Sequence, residues 1–166
     1  MRLSGIISVA AILSFFAITW CHGAEPLENR SIAVIKPGVG LGNIKIGDPL
    51  ADVIKKIGRK PSEGKKVQTG SQTEYWLSYT DLGVTFIFNE KQVLSRIAVT
   101  NPGITVQQKG IRVNSPTEDI NKIYGLGDSK RLTDKYEQRV YDKEGLNFTI
   151  NKDLNKIETI TIEQKR

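Results

Sequence analysis

A chain of 166 residues with one Cys, one His and a formal net charge of +6 lacks much of the usual catalytic equipment. Disulfide frameworks need paired cysteines, zinc sites need several Cys or His ligands, and most general-base chemistry uses an imidazole. Cys21 and His22 both stand beside an N-terminal apolar run, so loss of that segment leaves neither. The expectation is a chain without catalytic residues, metal site or cofactor.

Residues 1–23 read as a secretory signal. Arg2 supplies a positive start, and Ile6 to Trp20 is apolar apart from Ser8, Ser14 and Thr19. The run is short for a membrane span, which takes roughly 20 apolar residues, and no second one follows. Cleavage after Gly23 or Ala24 leaves small residues where a signal peptidase reads them. The alternative makes Cys21 a lipid anchor, but Trp20 stands where lipoprotein signals carry Gly, Ala or Ser. Cleavage removes one cation, Arg2, and predicts a periplasmic or secreted protein with no transmembrane span. A basic exported protein is biased toward acidic partners, and nucleic acid is set aside by compartment.

After a polar lead-in, 24–31, Ile32 to Ile35 is a short strand closed by Pro37-Gly38. Gly38, Gly40, Gly42 and Gly47 then predict a flexible loop; a dinucleotide-binding loop would open directly into a helix, and here Ile44-Lys45-Ile46 intervenes. Asp48-Pro49 predicts a helix start, with Asp48 capping and Pro49 at the first helical position. Leu50, Val53, Ile54 and Ile57 lie at helical spacing, and Gly58 supplies a left-handed stop. Three alternating segments follow, Glu74 to Thr80, Val84 to Phe88 and Leu94 to Val99, joined by short turns that imply an antiparallel meander.

The pattern then repeats. Ile32-Ala33-Val34-x-x-Pro37-Gly38 returns as Ile97-Ala98-Val99-x-x-Pro102-Gly103, and Ile44, Pro49, Asp52, Lys55 and Gly58 return as Ile111, Pro116, Asp119, Lys122 and Gly125. Ser115-Pro116-Thr117-Glu118 reads as a capping box before Ile120, Ile123 and Tyr124. Farther on, Tyr79, Gly83, Phe86 and Asn89 return as Tyr141, Gly145, Phe148 and Asn151, within strands Gln138 to Asp142, Leu146 to Ile150 and Ile157 to Ile162. The fold class expected is α+β: two tandem modules, 32–100 and 101–166, each a short helix followed by a three-stranded antiparallel meander sheet.

The run from Gly42 to Pro61, with Ile44-x-Ile46-Gly47-Asp48, Asp52-Val53 and Ile57-Gly58-x-x-Pro61, resembles the BamE/SmpA-OmlA-like module of exported bacterial proteins. Its tandem form is similar in plan to the β-lactamase inhibitor protein. The resemblance implies a non-enzymatic protein that presents a sheet or loop surface to a protein partner in the cell envelope. No functional residue of the family carries over, because the matching positions are structural glycines, prolines and apolar residues.

Two sets of candidate binding residues remain. Alternation places Trp76, Ile87 and Arg96 on the side of the sheet away from the Phe86/Phe88 row, where aromatic, aliphatic and guanidinium groups make an interaction patch. The competing reading buries Trp76 between the modules or under the lead-in. Lys55, Lys56, Arg59, Lys60, Lys65 and Lys66 form the densest basic segment, a candidate for anionic lipid or polymer, weighed against a solvated helix end whose cations complement the dipole. An envelope hydrolase using carboxylate or hydroxyl chemistry is the competing functional class.

Overall fold

The computed structural model describes residues 33–166; the stretch read as a signal, Cys21, His22 and the lead-in lie outside the described residues. The chain opens with three very short strands, β1 (Val34–Lys36), β2 (Gly40–Leu41) and β3 (Ile44–Lys45), and then helix α1 (Leu50–Ile57). Four strands follow: β4 (Glu63–Thr69), β5 (Gln72–Tyr79), β6 (Val84–Phe88) and β7 (Leu94–Val99). After the short β8 (Thr105–Val106) come α2 (Thr117–Tyr124) and four more strands, β9 (Ser129–Leu132), β10 (Tyr136–Tyr141), β11 (Leu146–Asn151) and β12 (Lys156–Glu163).

These elements do not make two three-stranded modules. The eight long strands form one antiparallel sheet in the order β4-β5-β6-β7-β12-β11-β10-β9, and the four short ones form a second sheet, β3-β2-β1-β8. Two observations overturn the tandem arrangement. Each helix is followed by four strands rather than three, and the two sets share backbone hydrogen bonds along β7 and β12, with Ile97 opposite Ile162. The boundary near residue 100 is crossed a second time in the small sheet, where β1 pairs in parallel with β8 and Ile35 faces Val106.

The strand missed on the first side is β4, whose sequence Glu-Gly-Lys-Lys-Val-Gln-Thr has one apolar residue. A strand at a sheet edge has little to bury, so the alternating signal disappears, and its lysines are the usual guard against pairing with another chain. β4 nonetheless pairs with β5 along its whole length. The supposed glycine loop also holds structure: a Cβ on Gly40 would lie 1.9 Å from the Ile44 carbonyl oxygen, so this residue is glycine because β2 and β3 approach so closely.

Both helix starts differ from expectation. Pro49 and Pro116 are themselves the cap residues, and neither helix has a side-chain cap. The Asp48 carboxylate turns back to accept the Lys45 N–H (2.7 Å) and forward to Lys56 Nζ (2.6 Å). Ser115 accepts from the Arg112 N–H, and Glu118 accepts from Asn155, so the capping box does not form. Gly58 does close α1 in the left-handed conformation, at φ 74°.

One hydrophobic core joins everything. Phe86, Ile97, Phe148, Ile160 and Ile162 from the large sheet meet Val53 of α1, Ile120 of α2, and Ile35, Leu41, Ile44 and Val106 of the small sheet in a single buried cluster. Helices and small sheet therefore cover the same face of the large sheet. The halves are also clasped at their turns. A Cβ on Gly145, in the β10–β11 turn, would lie 2.5 Å from Gly38 Cα and 2.4 Å from the Glu163 carbonyl oxygen; one on Gly83 would lie 2.9 Å from the Asn101 N. Each half's Pro-Gly segment thus docks against a tight turn of the other half.

Candidate functional site

Strand pleating sends alternate side chains to the face that carries no helix. Cross-strand register then builds one row from β4 to β12: Lys65 opposite Trp76, Trp76 opposite Ile87, Ile87 opposite Arg96, and Arg96 opposite Glu163. The three residues singled out by alternation are therefore consecutive neighbours on adjacent strands. Ile87 is only 5% exposed although it stands outside the core cluster, a property it shares only with Val140 among the buried apolar residues described. Its cross-strand neighbours on that face are Trp76 and Arg96.

Glu74 organises these two neighbours. It lies two residues before Trp76 and so on the same face; its Oε2 accepts the Trp76 indole N–H at 3.0 Å, and its Oε1 accepts Arg96 Nη2 at 2.5 Å. Lys65 Nζ sits 5.1 Å from the centre of the Trp76 ring, within cation–π range. Trp76 and Arg96 are thus oriented on either side of Ile87 by one carboxylate whose two oxygens are both occupied. The described partners of Trp76 belong to its own half of the chain, whereas the halves meet along the β7–β12 seam, in the small sheet and at the docked turns. Glu74 was legible from strand alternation and was passed over because its pairing with Arg96 spans two intervening strand boundaries.

Beyond Trp76 the middle of this face is uncharged. Ser78, Thr85, Ala98, Thr161 and Asn147 form the next row, with Ser78 and Thr85 sharing a hydrogen bond at 3.1 Å. At the end of the face where β5 begins, a cleft of about 740 Å³ opens past Glu74 and Arg96 toward Lys91 and the segment Glu163 to Arg166.

The basic segment is dispersed. Lys56 pairs with Asp48 and Arg59 with Asp81, each at 2.6 Å. Lys65 belongs to the Trp76 row, whereas Lys66 lies 6.0 Å from the Tyr75 ring on the opposite face. Lys55 and Lys60 are exposed near the end of α1. Six cations that are close in sequence are spread over a helix end and both faces of a sheet, with two of them neutralised.

A second charged cluster serves packing. Arg139 is buried beneath α2, ion-paired with Glu137 and hydrogen-bonded to Asn121. Beside it Tyr124, Tyr141 and Phe148 make mutual ring contacts at 5.3–5.9 Å. Burial, with smaller contributions from Glu144 and Tyr141, pushes the Tyr124 phenol up to about 12. Burial likewise raises Tyr79 and Tyr141, against the opposing pull of Arg59 and Arg139 respectively. The Tyr124 hydroxyl is buried without a hydrogen-bond partner among the described residues, and its ring contacts are those of a packing group.

No protein-family profile matches the sequence, and no curated protein aligns with it significantly. Among solved structures the fold is similar to YfeY of Escherichia coli, described as an uncharacterized protein, with a TM-score of 0.56 and 11% identity over 76% of this chain and 97% of that one. It is also similar to YjgB, a DUF4309 family protein of Bacillus subtilis, at a TM-score of 0.51 and 16% identity, covering 77% and 88% of the two chains. A looser likeness, TM-score 0.47 at 18% identity, is to an extracellular SCP-domain protein of Bacillus anthracis and covers 72% of this chain and 44% of that one. At these identities the first two likenesses are of fold alone. No helix among the described residues is long and apolar enough to cross a membrane.

Proposed function

We propose that this chain is an exported, non-catalytic binding protein of the bacterial envelope, recognising a protein partner through the outer face of its eight-stranded sheet around Trp76. The observation that carries this reading is the arrangement of Trp76, Ile87 and Arg96 by Glu74. Aromatic and Arg side chains set around an aliphatic centre are the usual composition of an interface hot spot, and here their orientation is fixed before any partner arrives. The signal at 1–23 supports export, and the resemblance of 42–61 to the BamE/SmpA-OmlA-like module supports a binding rather than a catalytic role. The periplasm or the exterior is the compartment this reading assigns.

Site-specific photo-cross-linking tests it. A photoreactive residue at Thr85, beside Trp76 on the outer face, is expected to capture a discrete protein in the producing cell, and the capture is expected to fall with Trp76→Ala. The same residue at Lys55, on α1, is expected to capture nothing specific. Equal labelling from both positions, or labelling at Thr85 that is indifferent to Trp76→Ala, refutes the assignment of this face. Anionic vesicles supply the contrast with the basic-segment reading: dispersal of Lys55, Lys56, Arg59, Lys60, Lys65 and Lys66 predicts weak association that Gln substitution barely changes.

A further inference from the structure

We infer that the cleft beside Trp76 completes the partner surface and that it takes an acidic loop, a protein segment in which Asp or Glu adjoins an aromatic or aliphatic residue. This rests on the reading that the outer face binds a protein. The cleft and the Trp76 patch share Glu74 and Arg96, so a single segment can cover both. Glu74 spends one oxygen on Trp76 and the other on Arg96, so the charges of Glu74 and Arg96 offset one another at the cleft's entrance and Arg96 offers its remaining N–H donors. Arg96 uses Nη2 for that bond, and its remaining N–H donors have no acceptor among the described residues, with the side chain 36% exposed.

Farther in, Lys91, Lys165 and Arg166 line the cleft without an ion-pair partner among the described residues. Against them stand Glu90 and Glu163, besides the Glu74 already paired with Arg96, so the lining side chains keep one positive charge in excess. A planar guanidinium with free donors and three cations behind it complements a carboxylate. The apolar complement is the Trp76 ring, since Ile87 is itself only 5% exposed. A membrane or polyanion needs a broad positive field, and the glutamates among these cations interrupt one; a loop with one or two carboxylates beside an apolar anchor meets both halves of the site.

Selection of a displayed cyclic-peptide library on the full exported chain tests this. Enriched peptides are expected to carry Asp or Glu next to an aromatic or aliphatic residue. Their affinity is expected to fall roughly 30-fold on Trp76→Ala and far less on Trp76→Phe, which keeps a ring over Ile87. The double variant Lys91→Glu/Lys165→Glu is expected to cost roughly 10-fold and to flatten the salt dependence. Circular dichroism confirms that each variant is folded. Peptides lost on Trp76→Ala but indifferent to Lys91→Glu/Lys165→Glu overturn the acidic-loop assignment and leave the outer face standing as a binding surface. Peptides indifferent to Trp76→Ala, or no enrichment at all, overturn both. Binding of poly-glutamate as tight as that of the selected peptides, and unaffected by Trp76→Ala, overturns the assignment in favour of general polyanion attraction.

Discussion

Substituting Ala at three glycines separates backbone strain from close approach. Gly58, Gly38 and Gly145 all have positive φ, at 74°, 65° and 66°. A non-glycine residue there costs roughly 1–2 kcal/mol in each case. Their surroundings differ. A Cβ on Gly58 meets nothing within 4 Å, and one on Gly38 meets the flexible Lys165 side chain at 2.2 Å. One on Gly145 meets the backbone of Glu163 and of Gly38 at 2.4 and 2.5 Å. Backbone on both sides cannot step aside, and overpacking of this kind adds roughly 1–3 kcal/mol. Gly145→Ala is therefore expected to cost about 2–5 kcal/mol against about 1–2 for Gly58→Ala. At roughly 3–4 °C per kcal/mol for a chain of this size, thermal unfolding should fall by about 6–20 °C against about 3–8 °C. Gly38→Ala should lie between them, and adding Lys165→Ala should return it to the Gly58→Ala level, whereas Lys165→Ala should give Gly145→Ala no relief. Circular dichroism melts and urea titrations measure all five variants. Indistinguishable losses for Gly58→Ala and Gly145→Ala would refute the claim that the two halves meet backbone to backbone at this turn.

The buried guanidinium offers a second test. Arg139→Leu removes the guanidinium from the buried Arg139–Glu137 pair and is expected to destabilise by up to about 3–5 kcal/mol, while the double variant Arg139→Leu/Glu137→Tyr, which copies Leu77 and Tyr75 of the first half, should recover much of it in urea titrations. Desolvation raises the Asp48 pKa, but the Lys45 N–H and Lys56 outweigh it and hold the carboxyl below its ordinary value. Its stabilising effect is then present above the unfolded-state pKa and lost as pH falls through the lower folded one, so Asp48→Asn should destabilise at neutral pH and much less in strong acid. Tyr124 behaves in the opposite sense. The folded state keeps its proton beyond the ordinary phenol value, so stability should decline between about pH 10 and 12, and tyrosinate absorbance of the native protein should lag that of the urea-unfolded chain.

Much of the local structure was legible in the sequence, and most of the long-range structure was not. Phe86, Phe148 and Ile97 announced their strands by alternation, and Gly58 announced the end of α1. The Trp76, Ile87 and Arg96 row needed only strand parity and a short turn between neighbouring strands. Pairing between distant strands leaves no comparable mark. Ile162 and Ile160 look the same whether β12 ends a small module or fills the middle of a large sheet, and the repeat of residues at equal offsets favoured the first choice. Physical context also reversed single-residue expectations. Asp48 has the chemistry of a cap, but Lys56 and the Lys45 N–H compete for the same oxygens and win. The basic segment was compact only in one dimension, because the pleat of β4 sends Lys65 and Lys66 to opposite sides.

The position of β12 bears on when this protein can become folded. β12, which follows the other seven long strands along the chain, lies fifth in the eight-stranded order, between β7 and β11, and the segment just beyond it carries the Lys165 side chain that rests on Gly38. Until β12 and Lys165 have emerged, the first four long strands lack their neighbour and the first turn lacks its contact, so a growing chain has no complete sheet to close. Pairings this distant in sequence form slowly. Such a topology makes folding an all-or-none event in time: the sheet is withheld until β12 is supplied, and the four long strands before α2 cannot close it alone.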